Sequence, residues 1–388
     1  MTQRIDSLGI RIYPTENAMS NPPRSPKYGR LLSDFEKGAT YEHPWDVTVD
    51  GGTIALFQAS FLDATPTYAS AAFAKGLSFR DRPVHPFLLL NLGLSFSVHD
   101  VSEQAIAHLA YIDVRFPNPC FVGDTVRASS TVLDAKASSS GDRGVVHVRT
   151  VLETSERIAV CTFERKALVR AGKLENRPDS PWLGEKRAAT DTPRLPESLR
   201  DRIVIPERRG GFAGFFEDFA VGDVIAHEVG KTVGESEHMQ LTALMRNSHP
   251  LHFDEVYCKE KSFAKTRVVY GGLVLTWVAT LASRDTTGNV LWDCGLDDGA
   301  HPNGVVAGDT LYATSKVLEK KDHDDKTGFV TFRLVGTKNV PGDKLLEGGA
   351  DLFTPELTKK DGKLKEKCVE ITRTVLMRKR PGRTTIGM

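Results

Sequence analysis

The chain has 388 residues, more than one ordinary core needs, with 40% hydrophobic and 26% charged residues, the mixture of a globular protein. Its formal net charge of +1 supplies no strong field toward nucleic acid or a membrane surface, and no run of about 18 apolar residues is present to span a bilayer. Five dispersed cysteines (120, 161, 258, 294, 368) without a CxxC pair argue for reduced thiols, hence a cytoplasmic protein. Met1 to Asp6 lacks the apolar region of a leader.

Residues 1–30, rich in Pro, Asn, Ser and Arg, read as an extended arm. A first unit spans 31–170. The stretch 171–210 is polar and punctuated by Pro178, Pro181, Pro193, Pro196 and Pro206, the composition of a linker. A second unit spans 211–380, and 381–388 form a short basic tail.

The two units are copies. Asp34-Phe35-x-x-Gly38-x-x-x-x-His43, then Asp63-Ala64-Thr65-Pro66-Thr67-Tyr68, is matched by Asp218-Phe219-x-x-Gly222-x-x-x-x-His227, then Asn247-Ser248-His249-Pro250-Leu251-His252. The offset is 184 at each anchor (34 and 218, 43 and 227, 66 and 250). A gapless match of this length indicates a duplicated structural unit. His43 and His227 recur, which points to the fold and not to catalysis.

Each unit repeats one order of elements. A short extended entry ends near Thr48 or Thr232, and a short helix follows. In the second copy, Thr232-x-x-Glu235 is a capping-box match for its start. An irregular loop carries Pro66 or Pro250. The long apolar stretches Val84–Val98 and Tyr270–Ala282 have the length of a helix buried on most sides.

Strand-like runs come next in matching pairs: Phe121–Arg127 with Val306–Tyr312, Val145–Val151 with Phe329–Val335, and Cys161–Arg170 with Val369–Arg378. The offset grows from 185 at the Gly-Asp pair (123 and 308) to 208 at the last strand (165 and 373). The second unit therefore holds about 23 extra residues (208 less 185), expected as a hairpin around 340–365. One helix against antiparallel strands is an α+β unit with an open sheet edge. Two such units can join edges about a pseudo-twofold axis.

Asn247-Ser-His-Pro-Leu-His252, followed by Val269-Tyr270-Gly271-Gly272-Leu273, resembles the MaoC-like hydratase/dehydratase family, whose motif is D-x-N-P-L-H ahead of a V-H-G-M-L-like helix start. The resemblance extends over nearly the whole chain to double-unit members. There it includes Gly299-Ala-His301-Pro-Asn303, Ala307–Ala313 and Val375–Arg380. It implies a tandem (double) hot-dog fold acting on acyl-CoA thioesters. It further implies reversible hydration of an α,β-unsaturated acyl-CoA, with mesaconyl-CoA as the favoured substrate. No cofactor or metal is implied. His249-x-x-His252 lacks a third ligand in an obvious motif.

The family's His falls on His252 and its Gly on Gly271. Its Asp falls on Asn247 and its Asn on His249, two departures. A histidine of near-neutral pKa can take a proton from water at Cβ and return one at Cα. A free N–H at a helix start, at Gly271, can hold the enolate oxygen. Asn247 cannot accept a proton but can orient water. In the first unit the corresponding positions are Tyr68 and Pro86, which has no N–H, so that unit is expected to be inert and to serve as the partner and wall of the site.

Arg246 and Arg267 are candidates for a substrate carboxylate, and His249, Tyr270, Gly272, His301 and Asn303 for the pocket wall. The alternatives are a hydratase for another acyl chain, a thioesterase using Asp254 or Glu255, and a non-catalytic acyl-CoA binding protein, kept open by Asn247. An intramolecular pseudo-dimer is expected. Whether it pairs again as a homodimer or higher assembly stays open.

Overall fold

The computed structural model describes residues 27–175, 193–200, 203–206 and 214–381. Most of the expected arm, much of the linker and nearly all of the tail lie outside these residues.

The first half runs β1 (Thr40–Thr48), α1 (Gly51–Ser60), α2 (Pro66–Ala69), α3 (Ala71–Gly76), α4 (Pro86–Phe96), β2 (Ala105–Arg115), β3 (Thr125–Ala137), β4 (Arg143–Thr154) and β5 (Ala159–Arg170). The second half runs β6 (Val224–Ala226), β7 (Lys231–Thr232), α5 (Glu235–Leu244), a single turn at Pro250–His252, α6 (Glu255–Lys261), α7 (Gly271–Leu281), α8 (Ser283–Thr286), β8 (Val290–Ala300), β9 (Thr310–Asp322), β10 (Thr327–Lys338), α9 (Gly342–Glu347) and β11 (Lys367–Arg378).

All strands belong to one antiparallel sheet of order β1-β3-β4-β5-β2-β8-β11-β10-β9-β6, with β7 also on β9. The order reads the same from either end, so the two halves join through β2 and β8. At that joint Tyr111 faces Gly299 and Val114 faces Leu296. An offset of 185 converts one pair into the other (111 and 296, 114 and 299), as a twofold axis through the joint requires. The backbones approach so closely there that a Cβ on Gly295 would lie 2.1 Å from the Val114 carbonyl oxygen.

The two long apolar segments form the central helices. Every residue of α4 and Gly272–Thr280 of α7 are buried. Each fully buried Leu, such as Leu88 or Leu273, contributes about 1.5–3 kcal/mol. The helices meet near the axis, where Asn91 Nδ2 donates to Thr276 Oγ1 at 2.9 Å; positions 91 and 276 are again 185 apart.

The recurrent histidines are built into the frame. His43 bonds Asp100 (2.9 Å) and Ser130 (2.7 Å), while His227 bonds Asp285 (2.7 Å) and Ser315 (2.9 Å). Two local expectations change. The α5 cap is Gly234, whose N–H donates to Glu237 at 3.3 Å, while Thr232 ends β7. The extra residues between β10 and β11 hold the short helix α9 and an irregular excursion, not a plain hairpin. Buried Lys367 anchors that excursion to Glu356 (3.3 Å) and Glu370 (3.0 Å). Among the described residues no helix is long and apolar enough to cross a membrane.

Candidate active site

A cavity of about 450 Å³ opens where the second unit's loop and helix start face the first unit's strands. The Pro250–His252 turn reaches its wall through Leu251 and His252. Proline fixes the start of the Pro250–His252 turn, and His249 caps it, its Nδ1 accepting from Leu251 N–H at 3.1 Å. That turn directs His252 inward, onto the ring of Tyr270 (centroids 5.6 Å).

His252 Nδ1 lies 2.7 Å from the Val268 carbonyl oxygen. A carbonyl only accepts, so Nδ1 carries the proton and Nε2 keeps its lone pair. Burial lowers the His252 pKa to about 3, with His249 nearby adding to the effect. The ring is therefore neutral across the physiological range. Burial likewise lowers His249 and His301 to about 4.

Gly271 is the first residue of α7, after Tyr270 as cap, so its N–H has no acceptor within the helix. A Cβ here would meet His301 Nε2 at 2.9 Å, so glycine leaves the helix start open to a ligand. His301 Nδ1 is 3.2 Å from the Cys368 carbonyl, which places its proton there and leaves Nε2 to accept from the Tyr111 hydroxyl at 3.1 Å.

Asn247 lines the cavity, but its Oδ1 accepts from His249 N–H at 3.0 Å. Asp63 makes the same turn in the first unit, accepting from Thr65 N–H at 3.0 Å. Position 247 therefore shapes the loop in both copies, and the Asn247 amide nitrogen is what remains for a ligand. Asn303 also lines the cavity. Its Nδ2 donates to Leu364 and Lys367 carbonyls, both at 2.9 Å, pinning the neighbouring excursion.

Both expected cations and one expected wall residue are elsewhere. Arg246 is exposed at a left-handed turn (φ 65°) closing α5. Arg267 is tied to Glu235 and to Glu255 (3.7 Å), so two carboxylates already hold it. Gly272 faces the other helix: a Cβ there would lie 2.0 Å from Asn91 Oδ1. Asp254 and Glu255 are off the cavity as well. Asp254 caps α6 through Tyr257 N–H (2.9 Å), and Glu255 accepts from Thr266 (3.3 Å).

The first unit contributes wall residues that the sequence reading did not single out: His108 and Tyr111 of β2 and Arg165 of β5. The alignment of Arg165 with Arg373 was the available signal.

The first unit's own loop faces a second cavity of about 500 Å³, bordered by α7 residues Thr280 and Leu281. There Tyr68 stands in the place of His252, and His85 caps α4 in the place of Tyr270, their rings 4.9 Å apart. Histidine and tyrosine have exchanged positions. Pro86 occupies the first helical position, so this helix start lacks the N–H that Gly271 supplies.

A family model described as mesaconyl-CoA hydratase matches residues 20–341. The mesaconyl-CoA hydratase of Cereibacter sphaeroides is 35% identical over 321 residues, covering 80% of this chain and 90% of that one. The crystal structure of a MaoC domain dehydratase from Chloroflexus aurantiacus superposes with a TM-score of 0.74 at 26% identity, over 94% of this chain and all of that one. A Mycobacterium tuberculosis protein with a double hotdog fold superposes with a TM-score of 0.68 at 18% identity, over 90% and 98%, and shows the fold alone. The fold is thus the expected tandem hot-dog, and the chain belongs to the mesaconyl-CoA hydratase family.

Proposed function

We propose that this chain is a hydro-lyase that adds water reversibly across the double bond of mesaconyl-CoA to give β-methylmalyl-CoA, with one working site per chain. The observation that carries the mechanism is the pairing, in one cavity, of a neutral His252 whose Nε2 lone pair is free with a helix start at Gly271 whose N–H is free.

The thioester oxygen accepts from Gly271 N–H, where the positive end of the α7 dipole adds to the hydrogen bond. His252 Nε2 takes a proton from a water as its oxygen bonds Cβ. The double-bond electrons move to the thioester, and the enolate charge settles at Gly271. The imidazolium formed in so dry a site is a strong acid, as the pKa of about 3 implies, and it returns the proton to Cα. In this reading the Asn247 amide nitrogen, whose Oδ1 is engaged by His249 N–H, donates to the attacking or departing oxygen. Dehydration runs the same steps backward.

The first unit, with Tyr68 and Pro86, serves as wall and partner. The thioesterase reading loses its carboxylates, since Asp254 and Glu255 are engaged away from the cavity. We further propose a cytoplasmic, cofactor-independent enzyme in which the internal pair of units replaces a dimer.

The test follows the enoyl-thioester absorbance of purified protein with mesaconyl-CoA. Rapid loss, abolished by His252→Ala, is expected. No loss with mesaconyl-CoA, or undiminished turnover by the variant, overturns the assignment. Release of free CoA thiol would instead mark a thioesterase.

A further inference from the structure

Arg165 is 4% exposed, yet no carboxylate among the described residues pairs with it. Its Nη2 donates to Ser97 Oγ at 2.8 Å and, at 3.4 Å, to Ser102 Oγ, while its Nε is buried without a partner. A buried guanidinium held only by neutral hydroxyls is costly, and such charges are normally paired. The desolvation is strong enough to lower its pKa to about 10.

The other copy shows what is missing. Arg373 occupies the same place on β11 and is bonded by Asp293 at 2.6 Å. Arg165 faces Tyr111 across β5 and β2, and Arg373 faces Leu296 across β11 and β8. In the same registers, Ala167 faces His108 and Val375 faces Asp293. His108 therefore stands where the second unit has the neutralising Asp293. Burial holds the His108 pKa well below its ordinary value, so it offers no negative charge either. The arginine with an internal carboxylate lies on the inert unit's side, beside Tyr68 and Asp63. The one without lines the cavity of His252 and Gly271.

We infer that Arg165, from the inert unit, binds the distal carboxylate of a dicarboxylic acyl thioester and so selects the substrate class. This deepens the hydratase reading above and rests on it. In mesaconyl-CoA the free carboxylate is attached to Cβ, the carbon that water attacks. Neutralising it there relieves the repulsion between that carboxylate and the incoming oxygen as it becomes hydroxide-like, besides fixing the orientation.

The experiment separates binding from turnover. Calorimetry on the full chain compares succinyl-CoA with butyryl-CoA, which differ in the distal carboxylate and cannot be hydrated. The native protein is expected to prefer succinyl-CoA at least about tenfold. Arg165→Gln and, independently, His108→Asp, which supplies the internal carboxylate the other copy has, should both abolish that preference while leaving the butyryl-CoA Kd within about threefold. His108→Asp keeps the arginine, so it guards against a mere folding defect in the first variant.

In turnover, Arg165→Gln should lower kcat/KM about 100-fold for mesaconyl-CoA and leave tigloyl-CoA, which has a methyl in place of that carboxylate, unchanged or improved. A preference that survives both variants, absence of any preference in the native protein, or equal losses on both thioesters overturns the inference. If the native protein hydrates neither thioester but shows an Arg165-dependent preference, the carboxylate site stands and the hydratase reading falls.

Discussion

His252 Nδ1 donates to the Val268 carbonyl over 2.7 Å, and this one bond sets which nitrogen faces the cavity. Val268 lies on the segment leading into α7, so the base and the oxyanion donor are aligned by the same stretch of backbone, Val268 to Gly271. Replacing His252 with Gln leaves a polar side chain of similar size and removes the base. Turnover of mesaconyl-CoA should fall by 10²–10⁴, the usual contribution of a general base, with an unchanged circular dichroism spectrum. Activity within tenfold of the native protein would remove His252 from the mechanism.

The depressed pKa predicts an unusual pH profile. A histidine base of ordinary pKa gives kcat/KM an inflection near 6.5. His252 at about 3 is already neutral there, so kcat/KM should stay flat from pH 8 down to about 5. An inflection near 6.5 that His252→Gln removes would show the ring to be solvated and the cavity assignment wrong.

The same burial links stability to acid. In the unfolded chain these histidines titrate near 6.5, while folded His252 titrates near 3 and His249 and His301 near 4. Between those values the unfolded state binds more protons. The stability is thus fully present above about 6.5 and is lost as pH falls toward 3–4. Each group can cost up to about 1.4 kcal/mol per pH unit over that interval. Urea midpoints measured from pH 7 to 4.5 should fall steadily, and the slope should shrink in His301→Gln.

Gly271 and Pro86 occupy equivalent helix starts, and that equivalence supplies a clean test of the oxyanion donor. Gly271→Pro is compatible with the first position of a helix, as α4 demonstrates, but deletes the N–H. Gly271→Ala keeps the N–H and adds only the Cβ that crowds His301. The proline variant should lose about 10²–10³ in kcat relative to the alanine variant. Equal kcat values in the two would assign the glycine to packing alone.

How far the sequence led is clearest at particular residues. The offset between copies exposed the duplication, and open sheet edges implied the joint that Tyr111 and Gly299 make. His252 and Gly271 were legible because their twins, Tyr68 and Pro86, cannot do the same chemistry. Arg246 and Arg267 were misleading because nearness in sequence says nothing of direction: one closes α5 at the surface, the other is held by Glu235 and Glu255. Asn247 read as a water-orienting residue; its Oδ1 is committed to a turn that Asp63 also makes, which the sequence did not show and which leaves only the amide nitrogen for that role. Arg165 went unnoticed because an arginine on an alternating strand looks like a wet-face residue. The structure instead turns it to the buried face of β5, against Ser97 and Ser102 of its own unit.

That burial carries a prediction for stability. Removing one partner of a buried ion pair costs about 3–5 kcal/mol, because the other charge is stranded; Asp293→Ala leaves Arg373 in that condition. Arg165 is already there in the ligand-free protein. Arg165→Met, which fills similar volume without charge, should therefore leave the melting temperature of the unliganded protein unchanged or higher, while Asp293→Ala lowers it by several degrees. Dicarboxylic acyl-CoA should raise the melting temperature of the native protein and lose much of that effect on Arg165→Met, since a ligand stabilises only the state that binds it. A large destabilisation by Arg165→Met alone would mean that the hydroxyls of Ser97 and Ser102 suffice for the guanidinium, and that its place in the wall is structural.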